Sequence, residues 1–392
     1  MLTSLALVFI IGLFFGWIFK QLKLPSLLGM IIAGILLSPY GLDLLDPTII
    51  SIAPDLRQIA LIIILTRAGL SLDIDDLKKV GRPAFLMCFL PATFEIIAIT
   101  LIAPKLLNIT LIEAALMGSV LAAVSPAVIV PRMIKLTKEG YGRKNSIPQL
   151  IMAGGSVDDV FVIVLFTAFS SLALGTNIST LDFIQIPTSI ILGIGIGIII
   201  GLLLLELFKR IKMNNNIKVI MMLSISFLLV GLEKYLQDSI SIASLLSVLT
   251  LGIIISRKNS KLSDKIAIKY NDLWVGAEVL LFVLVGASLN LNYALGAGLP
   301  AIIIVVIGLC FRMVGVYISL IKSPFSKKEK LFSMIAYTPK ATVQAAIGAI
   351  PLSMGLASGQ DILTVAVLSI LITAPFGAIG IDLLHDILLD KD

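Results

Sequence analysis

The chain has 392 residues, 58% of them hydrophobic and only 14% charged, with a mean hydropathy of +1.08 and a formal net charge of +6. That balance excludes a soluble or disordered protein and indicates a helical protein that crosses a bilayer many times. Cys88 and Cys310 lie inside apolar runs and His385 is the only histidine, so neither a disulfide framework nor metal-ligand spacing is present.

Thirteen apolar runs read as spans: 2–19, 25–38, 50–71, 82–103, 111–136, 147–174, 184–208, 216–233, 239–256, 270–290, 296–321, 330–353 and 361–385. No Lys or Arg precedes Lys20, so the first run lacks the basic leader of a signal peptide and reads as a span. Pro126 and Pro131 interrupt the fifth run, and Pro339 interrupts the twelfth. Most of the 30 Lys and Arg residues fall in or beside the links after the odd-numbered spans. The links after even-numbered spans hold or border only Arg57, Lys105 and Lys234. Cytoplasmic loops carry the basic excess, which places the N-terminus outside and the C-terminus in the cytoplasm. The basic charge then marks topology and contact with anionic lipid, not nucleic acid.

A few charges sit within the apolar runs. Asp158 and Asp159 are adjacent in the sixth, with no Lys or Arg beside them in that run. A helix beginning at 147 puts Asp159 roughly 18 Å along its axis, near the middle of a hydrocarbon core about 30 Å thick. Ionisable groups at that depth mark ion, proton or substrate paths. Arg67, Glu95, Glu278, Arg312 and Lys340 complete the set. Arg67 is close to the end of its run and can snorkel; Arg312 and Lys340 are too deep for that.

Short matches recur at nearly constant separation. Leu27-Leu28 and Ile35-Leu36-Leu37-Ser38 match Leu245-Leu246 and Ile253-Ile254-Ile255-Ser256. Leu70-Ser71-Leu72-Asp73 matches Leu289-Asn290-Leu291-Asn292, and Ser125-Pro126 matches Thr338-Pro339. Spans 1–6 and 8–13 would be two copies, with span 7 between them. Equivalent spans are an odd number apart, so the second copy is inverted. Inverted repeats with broken helices at mid-membrane are a signature of secondary transporters. Glu95 and Arg312 occupy equivalent spans and are expected to pair where the copies meet. Pairing there would leave a carboxylate of the 158–159 couple free for a cation. Lys340, at the second break, is placed to offset the negative end of a half-helix.

The segments Ala122–Pro131, Met152–Asp159 and Thr338–Ala346 together resemble the sodium/proton antiporters, nearest the NHA-type subgroup of the cation/proton antiporter superfamily. The resemblance covers nearly the whole chain. It implies an all-α polytopic fold of about thirteen helices, two inverted six-helix repeats, and broken helices crossing at spans 5 and 12. It also implies a scaffold that dimerises and a core that moves. On this chain the scaffold would be 1–80 and 216–293, the core 81–175 and 294–392, and the linker helix 176–215. Gly12 and Gly16, and Gly193, Gly197 and Gly201, give small-residue faces suited to close helix contact in a homodimer. The ion-binding carboxylate would be Asp159 with Asp158 as partner, and the core ion pair Glu95–Arg312. Where many relatives have Thr-Asp-Pro at the first crossing, this chain has Val124-Ser125-Pro126.

The expected activity is sodium (or lithium) for proton exchange at the cell membrane by alternating access, without a cofactor and without catalysis. Sodium would bind Asp159 and Asp158, with Ser125, Ser156 and carbonyls at the crossing as further oxygen ligands. A potassium/proton exchanger on the same scaffold is the alternative. An intramembrane aspartyl protease needs two aspartates opposed across two helices, whereas these are neighbours on one. A channel would show a filter or charged ring from symmetric subunits.

Overall fold

The computed structural model describes residues 1–71, 81–174, 180–236, 242–290, 293 and 298–391, except the side chains of 156, 180–187 and 234. Among these residues it is helical throughout. The helices are α1 (Leu2–Gln21), α2 (Ser26–Leu37), α3 (Pro47–Ser71), α4 (Arg82–Met87), α5 (Leu90–Leu107) and α6 (Leu111–Leu121). They continue with α7 (Pro126–Glu139), α8 (Ile147–Leu174), α9 (Thr180–Arg210), α10 (Asn215–Leu236), α11 (Ser244–Lys258) and α12 (Ser260–Ala287). The last are α13 (Gly298–Ser319), α14 (Lys327–Ala336), α15 (Thr342–Ile347), α16 (Ile350–Ser353) and α17 (Gly359–Leu388).

Ten helical stretches are long and apolar enough to cross a membrane, counting α4–α5 and α6–α7 as one stretch each. The other three expected spans correspond to α2, α11 and the interrupted α14–α16. At 12 and 15 residues, α2 and α11 are about 18 and 22 Å long. The span expected at 82–103 is broken at Cys88–Phe89, because Pro91 falls in the first turn of α5, where its missing N–H is harmless. Two helix starts are set by capping boxes: Thr110 with Glu113 begins α6, and Ser326 with Glu329 begins α14. The second box extends the twelfth run back to Lys327.

The start of α12 also departs from the sequence reading. Its ten residues before 270 look like a charged link, with Lys261, Asp264, Lys265 and Lys269. They are helical because Ser263, Ile266, Tyr270 and Trp274 form one buried stripe at helical spacing. The Asn259 side chain accepts from Leu262 N–H at 3.1 Å and starts the helix.

The chain packs as two units. One comprises Met1–Pro54, Ile74–Val162 and Val279–Asp392, and the other Asp55–Asp73 and Ile163–Glu278. In the first, α5 and α13 lie along each other, α1 lies along α2, and α17 packs on α13 and α14. Gly308 and Gly315 of α13 sit against Ile99 and Pro91 of α5, with a hypothetical Cβ at 3.1 and 2.7 Å from them. In the second, α9 lies along α11, and Ser263 of α12 donates to the Leu70 carbonyl of α3 at 2.8 Å.

The two glycine faces read as dimer contacts are used within the chain. A Cβ on Gly12 would lie 2.7 Å from Val283, and one on Gly16 3.2 Å from Met30. Gly193, Gly197 and Gly201 face Ala243, Ser247 with Thr250, and Ile254 of α11. Small-residue spacing reveals a close helix contact but not which helix supplies the other side.

The tightest such contacts join α2 to the end of α12. A Cβ on Gly34 would strike the Val283 carbonyl, and one on Gly286 would strike that of Ile31. The obstacle is backbone, so it cannot swing aside. Gly34→Ala and Gly286→Ala are each expected to lower stability by about 1–3 kcal/mol despite alanine's better helix propensity. Gly195→Ala, with open space around it, is expected to be neutral or slightly stabilising. Thermal unfolding in detergent of the three variants checks this; equal midpoints would reject it.

Candidate functional site

The site is where two helices are interrupted. Between α6 and α7 the chain runs through Ala122–Ser125; between α14 and α15 it runs through Tyr337–Ala341. Pro126 starts α7 and cannot continue a helix from α6, while Pro339 interrupts the second segment. Both segments are fully buried. They touch directly: Ser125 N–H donates to the Pro339 carbonyl at 2.8 Å, and the Ser125 and Thr342 hydroxyls are 3.4 Å apart.

Interrupted helices leave carbonyls and N–H groups without intrahelical partners. Buried in apolar surroundings, each needs another partner. The carbonyl end of α6 receives three side chains. Lys340 Nζ donates to Leu121 O at 2.6 Å, Arg312 Nη1 donates to Ala122 O, and Gln344 Nε2 donates to Leu121 O at 3.1 Å and Ala123 O at 2.7 Å. Arg312 Nε donates to Tyr337 O at 2.8 Å, beyond the end of α14. On the other side of the crossing, Val124 N–H donates to Asp158 Oδ2 at 2.9 Å. Cations therefore sit at carbonyl ends and a carboxylate at an amide, which follows the sign of the helix dipole.

These side chains are also paired with each other. Arg312 Nη1 is 3.2 Å from Glu95 Oε2, and Nη2 is 2.7 Å from Asp158 Oδ2. Lys340 Nζ is 2.7 Å from Glu95 Oε1. Each of the four is at most 1% exposed. Two acids and two bases balance, and hydrogen bonds to carbonyls use further donors of Arg312 and Lys340, the condition under which buried ions persist. The Tyr337 ring lies 5.1 Å from the guanidinium of Arg312, and its hydroxyl donates to Met87 O at 3.2 Å.

Helix α8 reaches this network because Gly154 and Gly155 lack side chains. A Cβ on Gly154 would sit 2.6 Å from the Tyr337 hydroxyl, and one on Gly155 3.1 Å from Val124. One turn later α8 presents Asp158 to Arg312. Asp159 is the next residue, about 100° around the helix, and faces elsewhere. Its Oδ1 is buried and accepts no hydrogen bond, and the same holds for Asp158 Oδ1.

Glu95, Arg312, Lys340, Asp158 and Ser125 thus come together, with Asp159 at their edge. Two features differ from the sequence reading. Arg312 is shared between Glu95 and Asp158, so Glu95 does not take it away from the aspartate couple; a guanidinium has five donors and serves several acceptors at once. Carbonyls at the crossing were expected as further cation ligands; those of Leu121, Ala122 and Ala123 accept from side-chain donors. The Ser156 side chain lies outside the described residues. Gln344 and Tyr337 were missed. Gln344, a polar residue four after Lys340 in an apolar run, was the available signal; nothing distinguished Tyr337.

Removing one member of this network leaves a buried unpaired charge, which typically costs about 3–5 kcal/mol. Glu95→Ala and Arg312→Ala are each expected to lower the unfolding temperature sharply, and the double variant to recover part of the loss. Differential scanning fluorimetry on the three proteins decides; strictly additive losses would show that the two groups do not interact.

The family described as "Sodium/hydrogen exchanger, transmembrane" matches residues 5–384. Sodium/hydrogen exchanger 9B2 of Xenopus tropicalis is 33% identical over 402 residues, covering 96% of this chain and 72% of that protein. Sodium/hydrogen exchanger 9B1 of Homo sapiens is 32% identical over 384 residues, covering 94% and 73%. Among solved structures, the sodium proton antiporter MjNhaP1 from Methanocaldococcus jannaschii at pH 8 superposes with a TM-score of 0.83 over 99% of this chain and 98% of that one. At 21% identity that likeness is one of fold. With the helical fold, the apolar spans and the match from residue 5 to 384, the chain is a multi-pass membrane protein that belongs to the sodium/hydrogen exchanger family.

Proposed function

We propose that the chain exchanges sodium (or lithium) for protons by alternating access, with Asp159 as the carboxylate that holds cation and proton in turn. The observation that carries this reading is the difference between the two aspartates. Glu95, Asp158, Arg312 and Lys340 neutralise one another, while Asp159 Oδ1 is buried with no donor. One carboxylate cannot hold both a cation and a proton, so the two flows are coupled by competition. Asp158 Oδ1, also without a donor, is a second oxygen for the cation. Ser125 and Ser156 are further ligand candidates on the crossing and on α8. The names of the relatives support sodium and protons as the transported pair.

The resemblance supports two inverted repeats and a core, 81–175 and 294–392, rocking against a scaffold, 1–80 and 216–293, joined by the linker helix 176–215. That division concerns which parts move and differs from the division by packing. The distribution of Lys and Arg supports an external N-terminus and a cytoplasmic C-terminus, and the same reading takes the membrane to be the cell membrane. A homodimer through the scaffold belongs to the same reading, although Gly12, Gly16 and the α9 glycines are already in use within the chain. A protease reading is opposed by the geometry, since Asp158 is bound by Arg312 and no second aspartate opposes Asp159 among the described residues.

Proteoliposomes carrying an imposed pH gradient test the proposal, with sodium, lithium and potassium offered in turn. Exchange with sodium or lithium is expected. Exchange with potassium alone would instead identify a potassium/proton exchanger. Asp159→Asn is expected to abolish exchange and leave thermal stability intact, whereas Asp158→Asn is expected to impair both. Competition at one carboxylate also fixes the pH profile. The rate against pH is bell-shaped, and raising sodium moves its acid limb to lower pH, because more cation displaces the proton at a given pH. Sodium-driven flux in Asp159→Asn, or an acid limb that stays in place between low and saturating sodium, would reject the single-site mechanism.

A further inference from the structure

The segment Ala122–Ser125 between α6 and α7 has no helical ladder of its own. Its peptide groups are held by whatever reaches them from elsewhere. The peptide that joins Ala123 to Val124 is held by a side chain at each end. Its carbonyl accepts from Gln344 Nε2 at 2.7 Å, and its N–H donates to Asp158 Oδ2 at 2.9 Å. The peptide is trans, so its C=O and N–H point to opposite sides of the segment. Gln344 grips one side and Asp158 is held on the other.

Gln344 lies in α15, four residues after Lys340, and is fully buried. Its amide can stand only one way round. Nε2 faces two carbonyl oxygens, Leu121 O at 3.1 Å and Ala123 O at 2.7 Å. The reverse orientation would set Oε1 against both, acceptor on acceptor. Oε1 itself is buried and accepts no hydrogen bond. The Leu121 carbonyl also receives Lys340 Nζ at 2.6 Å. The distinct contribution of Gln344 is therefore the bond to Ala123.

That bond is felt at Asp158. A donor on the carbonyl polarises the peptide and makes its N–H a stronger donor. The Val124 N–H and Arg312 Nη2, at 2.7 Å, converge on the same carboxylate oxygen, Oδ2. Oδ1 is left buried and without a donor. Without Gln344 no helical bond keeps the Ala123–Val124 peptide from rotating, and its N–H swings off Oδ2. The carboxylate, then held by Arg312 alone, turns about its last side-chain bond, and Oδ1 loses its fixed direction.

We propose that Gln344 is a positioning residue for cation binding: through the Ala123–Val124 peptide it fixes Asp158 with Oδ2 in the ion network and Oδ1 free for the cation. This rests on the reading that Asp158 Oδ1 is a second cation oxygen beside Asp159. Gln344 acts at one remove, from the second interrupted segment, across the first, onto α8. A displacement of α15 against the crossing is transmitted to the carboxylate by two hydrogen bonds. Glutamate at 344 would turn an acceptor toward one carbonyl or the other when ionised, and asparagine would stop one methylene short of both.

Gln344→Met keeps the length and packing of the side chain, removes both donors and costs nothing at Oε1. Two measurements on it test the proposal: cation-dependent exchange in proteoliposomes, and the structure of the variant in nanodiscs by electron cryo-microscopy. The sodium KM is expected to rise about three- to tenfold, the worth of one buried hydrogen bond, and by more than the maximal rate falls. In the variant structure Asp158 Oδ2 is expected beyond hydrogen-bond reach of the Val124 N–H, with Lys340 still on Glu95. Gln344→Asn is expected to shift KM in the same direction and carries the test if Gln344→Met folds poorly. Asp158 still bonded to Val124 would overturn the positioning role, as would a lower maximal rate at unchanged KM, the mark of a residue that serves the fold alone. Asp158 displaced while KM stays constant would instead remove Asp158 Oδ1 from the cation site, and the reading on which the proposal rests would fall with it.

Discussion

Arg312 is the interaction on which the rest of this structure depends. It is fully buried, and its guanidinium contacts Glu95 on α5, Asp158 on α8, the Ala122 carbonyl after α6 and the Tyr337 carbonyl after α14. No other side-chain type presents five donors in a fixed planar fork. A lysine at 312 could reach one or two of these partners and would leave others unpaired. Buried ion pairs are often no more stabilising than a well-packed apolar cluster. What this arrangement provides is position: four separate pieces of chain are set to within a hydrogen bond of one another. The crossing of two interrupted helices, open to no solvent, is tenable because Arg312, Lys340 and Gln344 serve as the donors its carbonyls lack.

The paired acids divide their work by geometry alone. Adjacent residues on a helix point about 100° apart, so α8 cannot aim both at the guanidinium. Asp158 is held by Arg312 and by the Val124 amide, while Asp159 keeps a buried oxygen without a donor. The same two residues on a strand would have pointed to opposite faces. Gly154 and Gly155 complete the device, because any side chain there would push α8 off Tyr337 and Val124. The couple thus places one acid inside the ion network and leaves the other outside it.

Much of this was legible in the chain itself, and the parts that were not have physical reasons. The apolar runs gave the spans, ten of which are single long apolar stretches in the fold. Prolines in two otherwise apolar runs marked the interruptions, and Glu95 and Arg312 were linked by their spacing. Lys340 was seen at the second break, but its reach to Glu95 and to Leu121 was not, because a long side chain crosses between helices that sequence does not order in space. The glycines of α1 and α9 showed close contact and hid the identity of the neighbour. The break at Cys88–Phe89 was hidden because Pro91 is compatible with a continuous kinked helix as well as with a new start. The first ten residues of α12 were hidden because their buried stripe is interleaved with lysines.

That long α12 constrains how the protein sits in its membrane. Its 28 residues span about 42 Å, some 12 Å more than a hydrocarbon core. The surplus is the charged end, where Lys261, Lys265 and Lys269 recur every four residues on the side away from Ser263 and Ile266. Sliding the helix along its own axis would draw those lysines into lipid one after another, each at a cost of up to about 2.5–3.5 kcal/mol at the centre. The opposite displacement would lift the exposed apolar residues Leu273 and Val275, next beyond the charged end, into water. Helix α12 is therefore pinned in depth in both directions. Under the alternating access proposed above, this helix would be a fixed post against which travel across the bilayer is measured.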